Sequence, residues 1–284
     1  MLSRTLAPTY VRCGMSKDKC VLVCGIGEAA SAAARRLFGE GYAVALYRAT
    51  PPRLLRRRMS FADAWFDAQA QLDGVEARRA DVASEFFLGL QTRNFIPLLR
   101  TRLSDVLERW PWDVIVAARE DEEPTPKSFL NLCELAIGLG CGFTAGVDCD
   151  LVIETEGLDP GAILREGDVP QAIRTCASEY YEFLAPRAGL LRATVSIGAT
   201  IEAGEPLGCI LETPIFAPVS GRIQGIARKE QAVLRGAPIV EIALSRKARV
   251  AGISDKNQLV SRGVAFALEM ETEGWEPFSF ENWR

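Results

Sequence analysis

The sequence predicts an α/β protein of two unequal units: an N-terminal Rossmann-like parallel sheet, then a β barrel-sandwich unit with an internal 32-residue repeat. Three observations carry this. A strand, glycine turn, helix and strand follow one another from residue 20. Short unbroken apolar runs recur through the first half, as in strands buried on both faces. From about Phe183 the texture changes to short β segments punctuated by Gly and Pro. A length of 284 residues fits two units at roughly 100–200 residues per domain. The expected boundaries are a disordered tail over 1–18, the Rossmann-like unit over 19–180, the β unit over 181–246, and over 247–284 a helix and tail packing back on the first unit.

In the tail, Arg4 and Arg12 with few acids faintly resemble a mitochondrial presequence; a disordered tail, or a start at Met15 that leaves 1–14 outside the native protein, is simpler. Cys20-Val21-Leu22-Val23-Cys24 is a buried strand, running into Gly25-Ile26-Gly27-Glu28-Ala29-Ala30. An Ala-rich helix over 29–38 ends at Gly39 and Gly41, and Tyr42-Ala43-Val44-Ala45-Leu46-Tyr47 is the next strand. In that order a G-x-G-x-x-A turn has physical meaning. Gly25 permits the turn, Gly27 admits a phosphate to the backbone, Ala30 keeps helix and strand close, and the helix N-terminus attracts the anion. A Rossmann-like unit without a nucleotide gives the same pattern. Arg48 stands where an acid would hold ribose hydroxyls, which favours an NADP-type or other phosphorylated ligand over NAD. Glu28 inside the turn would repel a pyrophosphate unless directed away.

After Pro51-Pro52, Arg53, Arg56, Arg57 and Arg58 form either an anion site or a solvated basic face. An edge strand is expected over 75–81 and a helix over 93–110, where Phe95, Leu98, Leu99 and Leu103 recur at helical spacing. Asp113-Val114-Ile115-Val116-Ala117 reads as a parallel strand, and 120–126 as an acidic, Pro-containing loop. A short strand at 135–137 opens into Gly138-Leu139-Gly140-Cys141-Gly142-Phe143-Thr144-Ala145-Gly146-Val147-Asp148. Four glycines in nine positions either bring backbone N–H groups to a ligand or form a structural turn. Leu151-Val152-Ile153-Glu154-Thr155 continues as a strand.

Composition removes several chemistries. There is no histidine, so no Ser-His-Asp or Cys-His nucleophile and no imidazole metal site exists in this chain. Any acid or base must be a shifted carboxylate, Lys, Cys or Tyr. A formal charge of −4 gives no global field for nucleic acid. The eight cysteines include no CxxC pair and read as reduced, mostly buried thiols of a cytoplasmic protein. No uncharged apolar run reaches the ~18 residues of a membrane span. No metal site is expected.

In the second unit Ala185-Pro186-Arg187-Ala188-Gly189 matches Ala217-Pro218-Val219-Ser220-Gly221, and Gly204-Glu205-Pro206 matches Gly236-Ala237-Pro238, each 32 residues apart. This part resembles the biotinyl/lipoyl-type barrel-sandwich module. Carrier modules have a lysine on the hairpin between the halves; this chain reads Glu212-Thr213-Pro214, so neither covalent biotin nor lipoate is expected. A helix over 258–270 and an aromatic end with Trp275, Phe278, Phe280 and Trp283 follow.

Gly25-Ile26-Gly27, an R-R-x-x-S-F-A-x-A pattern from Arg56 to Ala64, the stretch from Gly138 through Thr155, and Ile253-Ser254-Asp255-Lys256 together resemble the accessory proteins that mature molybdenum hydroxylases, including selenium-dependent ones. The chain departs from that pattern at Arg48 and Ala117, over 119–126, and at Glu156-Gly157-Leu158, where the family has an R-G-H run. The resemblance implies an accessory protein acting on a client molybdenum enzyme, with a molybdopterin-type or NADP-type ligand. The expected ligand residues are Gly25, Gly27, Ala30, Arg48, Arg57, Arg58, Gly138, Gly140, Gly142, Thr144, Ala145, Gly146 and Asp148. The alternatives are an NADP-linked oxidoreductase or cofactor-biosynthesis enzyme using Asp148, Glu154 or Tyr47, and a non-catalytic scaffold. A homo-oligomer is a further expectation; nucleic acid and membrane are not expected partners.

Overall fold

The computed structural model describes residues 19–120, 126–169 and 179–273. The presequence-like tail, most of the acidic loop and the terminal aromatics lie outside them. In chain order the first unit has β1 (Cys20–Cys24), α1 (Glu28–Gly39), β2 (Ala43–Tyr47), α2 (Asp63–Asp67), β3 (Gln69–Leu72), β4 (Val75–Arg79), α3 (Ala83–Thr92), β5 (Ile96–Leu99), α4 (Leu103–Arg109), β6 (Val114–Ala118), β7 (Leu135–Leu139), β8 (Thr144–Ala145), β9 (Leu151–Ile153), β10 (Ile163–Leu164) and β11 (Gly167–Asp168). The second has β12 (Tyr180–Leu184), β13 (Gly189–Ala193), β14 (Thr200–Ile201), β15 (Pro206–Ile210), β16 (Thr213–Phe216), β17 (Gly221–Ile226), β18 (Ala232–Val233) and β19 (Pro238–Ala243), and α5 (Asp255–Glu273) closes the described chain.

Nine strands form one sheet in the order β10-β9-β7-β6-β1-β2-β5-β4-β3. From β9 to β4 every pairing is parallel, and the rim strands β10 and β3 pair antiparallel. The unbroken apolar runs follow from covering both faces. Alternation along β1 sends Val21 and Val23 to a core shared with Ala30, Ala33, Ala34 and Leu37 of α1 and Val260, Val264 and Leu268 of α5. It sends Leu22 and Cys24 to the opposite core, with Phe86 and Leu90 of α3 and Leu103 and Val106 of α4. The small side chains of α1 let α5 lie close against it. Buried Ser31 donates from Oγ to the Ile26 carbonyl and accepts from the Phe61 N–H, both at 2.9 Å.

Two local expectations are corrected. The segment expected as a helix over 93–110 is β5 followed by the short α4. Ile96-Pro97-Leu98-Leu99 is a contiguous apolar run buried at every position, which suits a strand between β2 and β4, and Pro97 opposes helix there. The strand at β4 lies inside the sheet, because β3 folds back and covers it. Four-stranded antiparallel sheets, β12-β19-β17-β14 and β16-β15-β13-β18, enclose a third core containing Leu191, Leu207, Ile210, Ile223 and Ile242. Leu55, from the loop after β2, is buried in that third core, and its carbonyl accepts from the Ile226 N–H at 3.0 Å. No helix among the described residues is long and apolar enough to cross a membrane.

Candidate functional site

An open parallel sheet binds ligands beyond its C-terminal strand ends, where strand order reverses. Here the reversal lies between β1 and β6. The segments leaving those strands are Gly25-Ile26-Gly27 and Arg119-Glu120. Gly25 holds φ 131°, a conformation that lets the chain turn from β1 into α1. Gly27 caps α1 without a side-chain hydrogen bond. Its N–H donates instead to Glu120 Oε1 at 2.5 Å. Arg48 Nη1 donates to Glu120 Oε2 at 2.9 Å, and Arg48 Nε to the Thr50 carbonyl at 3.1 Å. The Arg48 side chain is 3% exposed and that of Glu120 15%.

The place where a glycine turn and a helix N-terminus would take a phosphate therefore holds the chain's own carboxylate. The fit is close. A Cβ at Gly25 would stand 2.6 Å from Glu120 Oε1, and one at Gly27 2.8 Å. Arg48 reaches across β1 to the acid that follows β6. Sequence reasoning placed Glu120 in a loop and missed it. The available signal was topological: the residue leaving the strand next to β1 enters the crevice.

The second glycine segment lies one strand further along the same edge. Gly138 is within β7, and a Cβ there would stand 2.5 Å from Phe143 Cγ and 2.9 Å from Cys149 Sγ. At Gly140, φ is 74° and a Cβ would meet the Thr155 hydroxyl. Asp148 Oδ2 accepts from the Thr144 N–H at 2.9 Å, closing the turn, and its carbonyl accepts from the Phe129 N–H at 2.7 Å. Ala145 pairs with Gly167 and is buried. Arg119 joins this turn to the crevice: its guanidinium stacks 4.6 Å from the Phe143 ring, and a Cβ at Gly142 would lie 3.3 Å from its Cδ. Gly142 and Gly146 are exposed at the tip, beside the exposed thiol of Cys141.

The remaining predicted residues are elsewhere or structural. Ala30 is 1% exposed, packed beneath the first turn. The arginine run joins the two units. Arg56 pairs with Glu241 of β19 through a hydrogen bond from Nε and lies 4.6 Å over the Tyr180 ring. Arg57 Nε donates to the Ile226 carbonyl at 3.2 Å, and its Nη1 to both Asp63 oxygens at 3.0 Å. Arg58 Nη1 donates to the Ile197 carbonyl at 3.0 Å. Arg228 returns the tie, pairing with Asp63 at 2.6 Å and with Asp67 at 2.5 Å.

Glu28 sits where this junction meets α5. Burial pushes its carboxyl above the usual range, against the pull of Arg56 and Lys256. Arg56 Nη1 is 3.8 Å from Oε1, and Asn257 Nδ2 donates to Oε2 at 3.5 Å. A folded carboxyl that holds its proton more tightly than the unfolded one makes stability fall with rising pH. The fall begins near the ordinary value of 4.5 and is complete above the raised folded value. Glu28→Gln should lack this decline, so its stability relative to the parent rises with pH across that interval. Urea denaturation at a series of pH values checks this; a pH-independent difference contradicts it. Burial also raises the Cys133 and Cys149 thiols to about 11. No disulfide joins the six described cysteines, and no cluster of three metal-ligating side chains occurs among the described residues.

No family model matches the chain. It is 31% identical over 264 residues to a protein of Escherichia coli (strain K12) called uncharacterized protein YqeB, covering 90% of this chain and 48% of that one. The chain thus spans about half the length of this curated relative. Solved structures described as of the succinylglutamate desuccinylase/aspartoacylase family are similar at a low level. One from Shewanella frigidimarina is 13% identical over 80% of this chain and 89% of its own, with a TM-score of 0.26. One from Rhodobacter sphaeroides is 15% identical over 80% and 86%, at 0.24. One from Shewanella amazonensis is 16% identical over 46% and 54%, at 0.22. Likeness at this level carries no hydrolase chemistry to this chain.

The function expected from the sequence is corrected. The three solved structures named above are described as desuccinylase/aspartoacylase proteins. The seat that a phosphorylated ligand required is filled by Glu120. The accessory function, with its NADP-linked and scaffold alternatives, is set aside.

Proposed function

We propose that the chain binds a small polyhydroxylated ligand of the nucleoside or sugar class in the crevice between β1 and β6, through an end that carries no diphosphate. The single observation behind this is the Glu120 carboxylate on the Gly27 N–H, with Arg48 behind it. A carboxylate at a strand end accepts from paired donors such as a vicinal diol. In an ordinary Rossmann unit an acid after the second strand does this; here the acid follows β6. A diphosphate would meet a like charge at that point. Calorimetric titration with adenosine and with ADP tests the reading. Adenosine should bind at least about tenfold more tightly, a difference of ~1.4 kcal/mol. ADP binding more tightly, or flat titrations across nucleosides and sugars, would overturn it.

We also propose that the second unit is a barrel-sandwich built from a 32-residue repeat. Supporting this, β13, β14 and β15 start 32 residues before β17, β18 and β19. The Gly204 N–H donates to the Ala217 carbonyl and the Gly236 N–H to that of Ala185, both at 2.8 Å, an exchange between halves at the same offset. The motif likeness to the molybdenum-hydroxylase accessory family is kept as a proposal about ancestry, and no function is drawn from it. A reducing compartment is part of the same proposal, supported by six described cysteines that form no disulfide.

A further inference from the structure

A cavity of about 180 Å³ lies at the opposite end of α1 from the glycine turn, where α1, the β3–β4 turn and the start of α5 meet. Arg35, Arg36 and Arg262 line it with Asp73, Gln258 and Ser261. Three cations face one carboxylate there. Arg36 also pairs with Glu40 outside the lining, which leaves a net charge of +1. The carboxylate is already engaged: Asp73 Oδ2 accepts from the Ile253 N–H at 3.1 Å, and its carbonyl accepts from Arg35 Nη2 at 3.1 Å. The Ser261 hydroxyl donates to the Gln258 carbonyl at 2.9 Å.

Two guanidinium groups have capacity left. Arg35 Nε is a buried donor with no acceptor among the described residues. Arg262 is exposed and makes no ion pair or hydrogen bond among them. A buried, unsatisfied donor on a charged group is costly unless something supplies the acceptor. The cavity is smaller than the roughly 300–1,000 Å³ of sites that hold a whole organic ligand. We propose that it binds a tetrahedral oxyanion of phosphate size, either free or as the terminal group of a phosphomonoester. Arg262 and Arg35 would donate to its oxygens, with Arg36 adding charge from the side. This site is separate from the crevice and does not depend on what the crevice binds. An anion here would tie α5 to α1 and to the β3–β4 turn.

The test titrates the whole chain with inorganic phosphate and, separately, with a sugar phosphomonoester, at constant ionic strength made up with chloride. Saturable binding of either supports the site, and the tighter ligand identifies its source. Arg262→Ala, at an exposed and unpaired position, should weaken binding about tenfold, the scale of one charge-assisted contact, without changing the circular dichroism spectrum. Arg35→Lys, which keeps the charge but loses Nε, should weaken it too. Arg192→Ala on the β unit should bind as the parent does. No saturation by either anion, or equal binding in Arg262→Ala and the parent, overturns the proposal.

Discussion

Glu120→Ala should lower the unfolding free energy by about 2–4 kcal/mol. The guanidinium it pairs with is buried, and removing one member of a buried pair takes away the carboxylate that faces the other. The magnitude belongs toward the lower end because Glu120 is itself 15% exposed. Two losses combine, since the Gly27 N–H at the start of α1 also loses its acceptor. Glu120→Gln should cost less, because an amide oxygen still accepts from Arg48. Equilibrium denaturation in urea measures both. The account requires the alanine variant to be the weaker of the two, and a drop below about 0.5 kcal/mol for Glu120→Ala would mean that the pair is a surface contact in solution.

Gly138→Ala should be at least as damaging, at about 3 kcal/mol or more. The added Cβ would stand 2.5 Å from Phe143 Cγ, 2.7 Å from Phe143 Cβ and 2.9 Å from Cys149 Sγ. Phe143 and Cys149 are both fully buried, so neither can move aside. Overpacking of this kind forces rotamer and backbone shifts. Because β7 pairs with both β6 and β9, such a shift spreads across the sheet edge that holds Arg119. Thermal unfolding should show it as a loss of roughly 6–12 °C, at 2–4 °C per kcal/mol for a chain of this size. Phe143→Ala combined with Gly138→Ala should cost less than the two single changes added, since removing the ring makes room for the Cβ. Additivity would show that the clash is relieved elsewhere.

Elements buried on both faces were legible because local signals agree there. Cys20–Cys24, Ala43–Tyr47 and Val114–Ala118 are unbroken apolar runs, and each is a parallel strand. The 93–110 segment misled because Phe95, Leu98, Leu99 and Leu103 fit helical spacing by accident. Burial between two strands decided the matter against that spacing. At the site, the glycine turn and the unusual Arg48 were both readable. Their partner was not, because Glu120 lies 72 residues from Arg48 and only the strand order brings them together. The arginine run shows the same limit. Arg56, Arg57 and Arg58 have the composition of an anion site, yet their partners are Glu241, Asp63 and the carbonyls of Ile226 and Ile197. A charge is visible in a sequence; whether the fold has already neutralised it depends on residues far along the chain.

The central claim is that the glycine turn at β1 is occupied by the chain's own carboxylate, which turns away a diphosphate. Titration of ADP into the parent and into Glu120→Gln tests it most directly. The account predicts no saturable binding to the parent and measurable binding to the variant, where Arg48 and the Gly27 N–H face a neutral group. Equal, saturable ADP binding to both would contradict it.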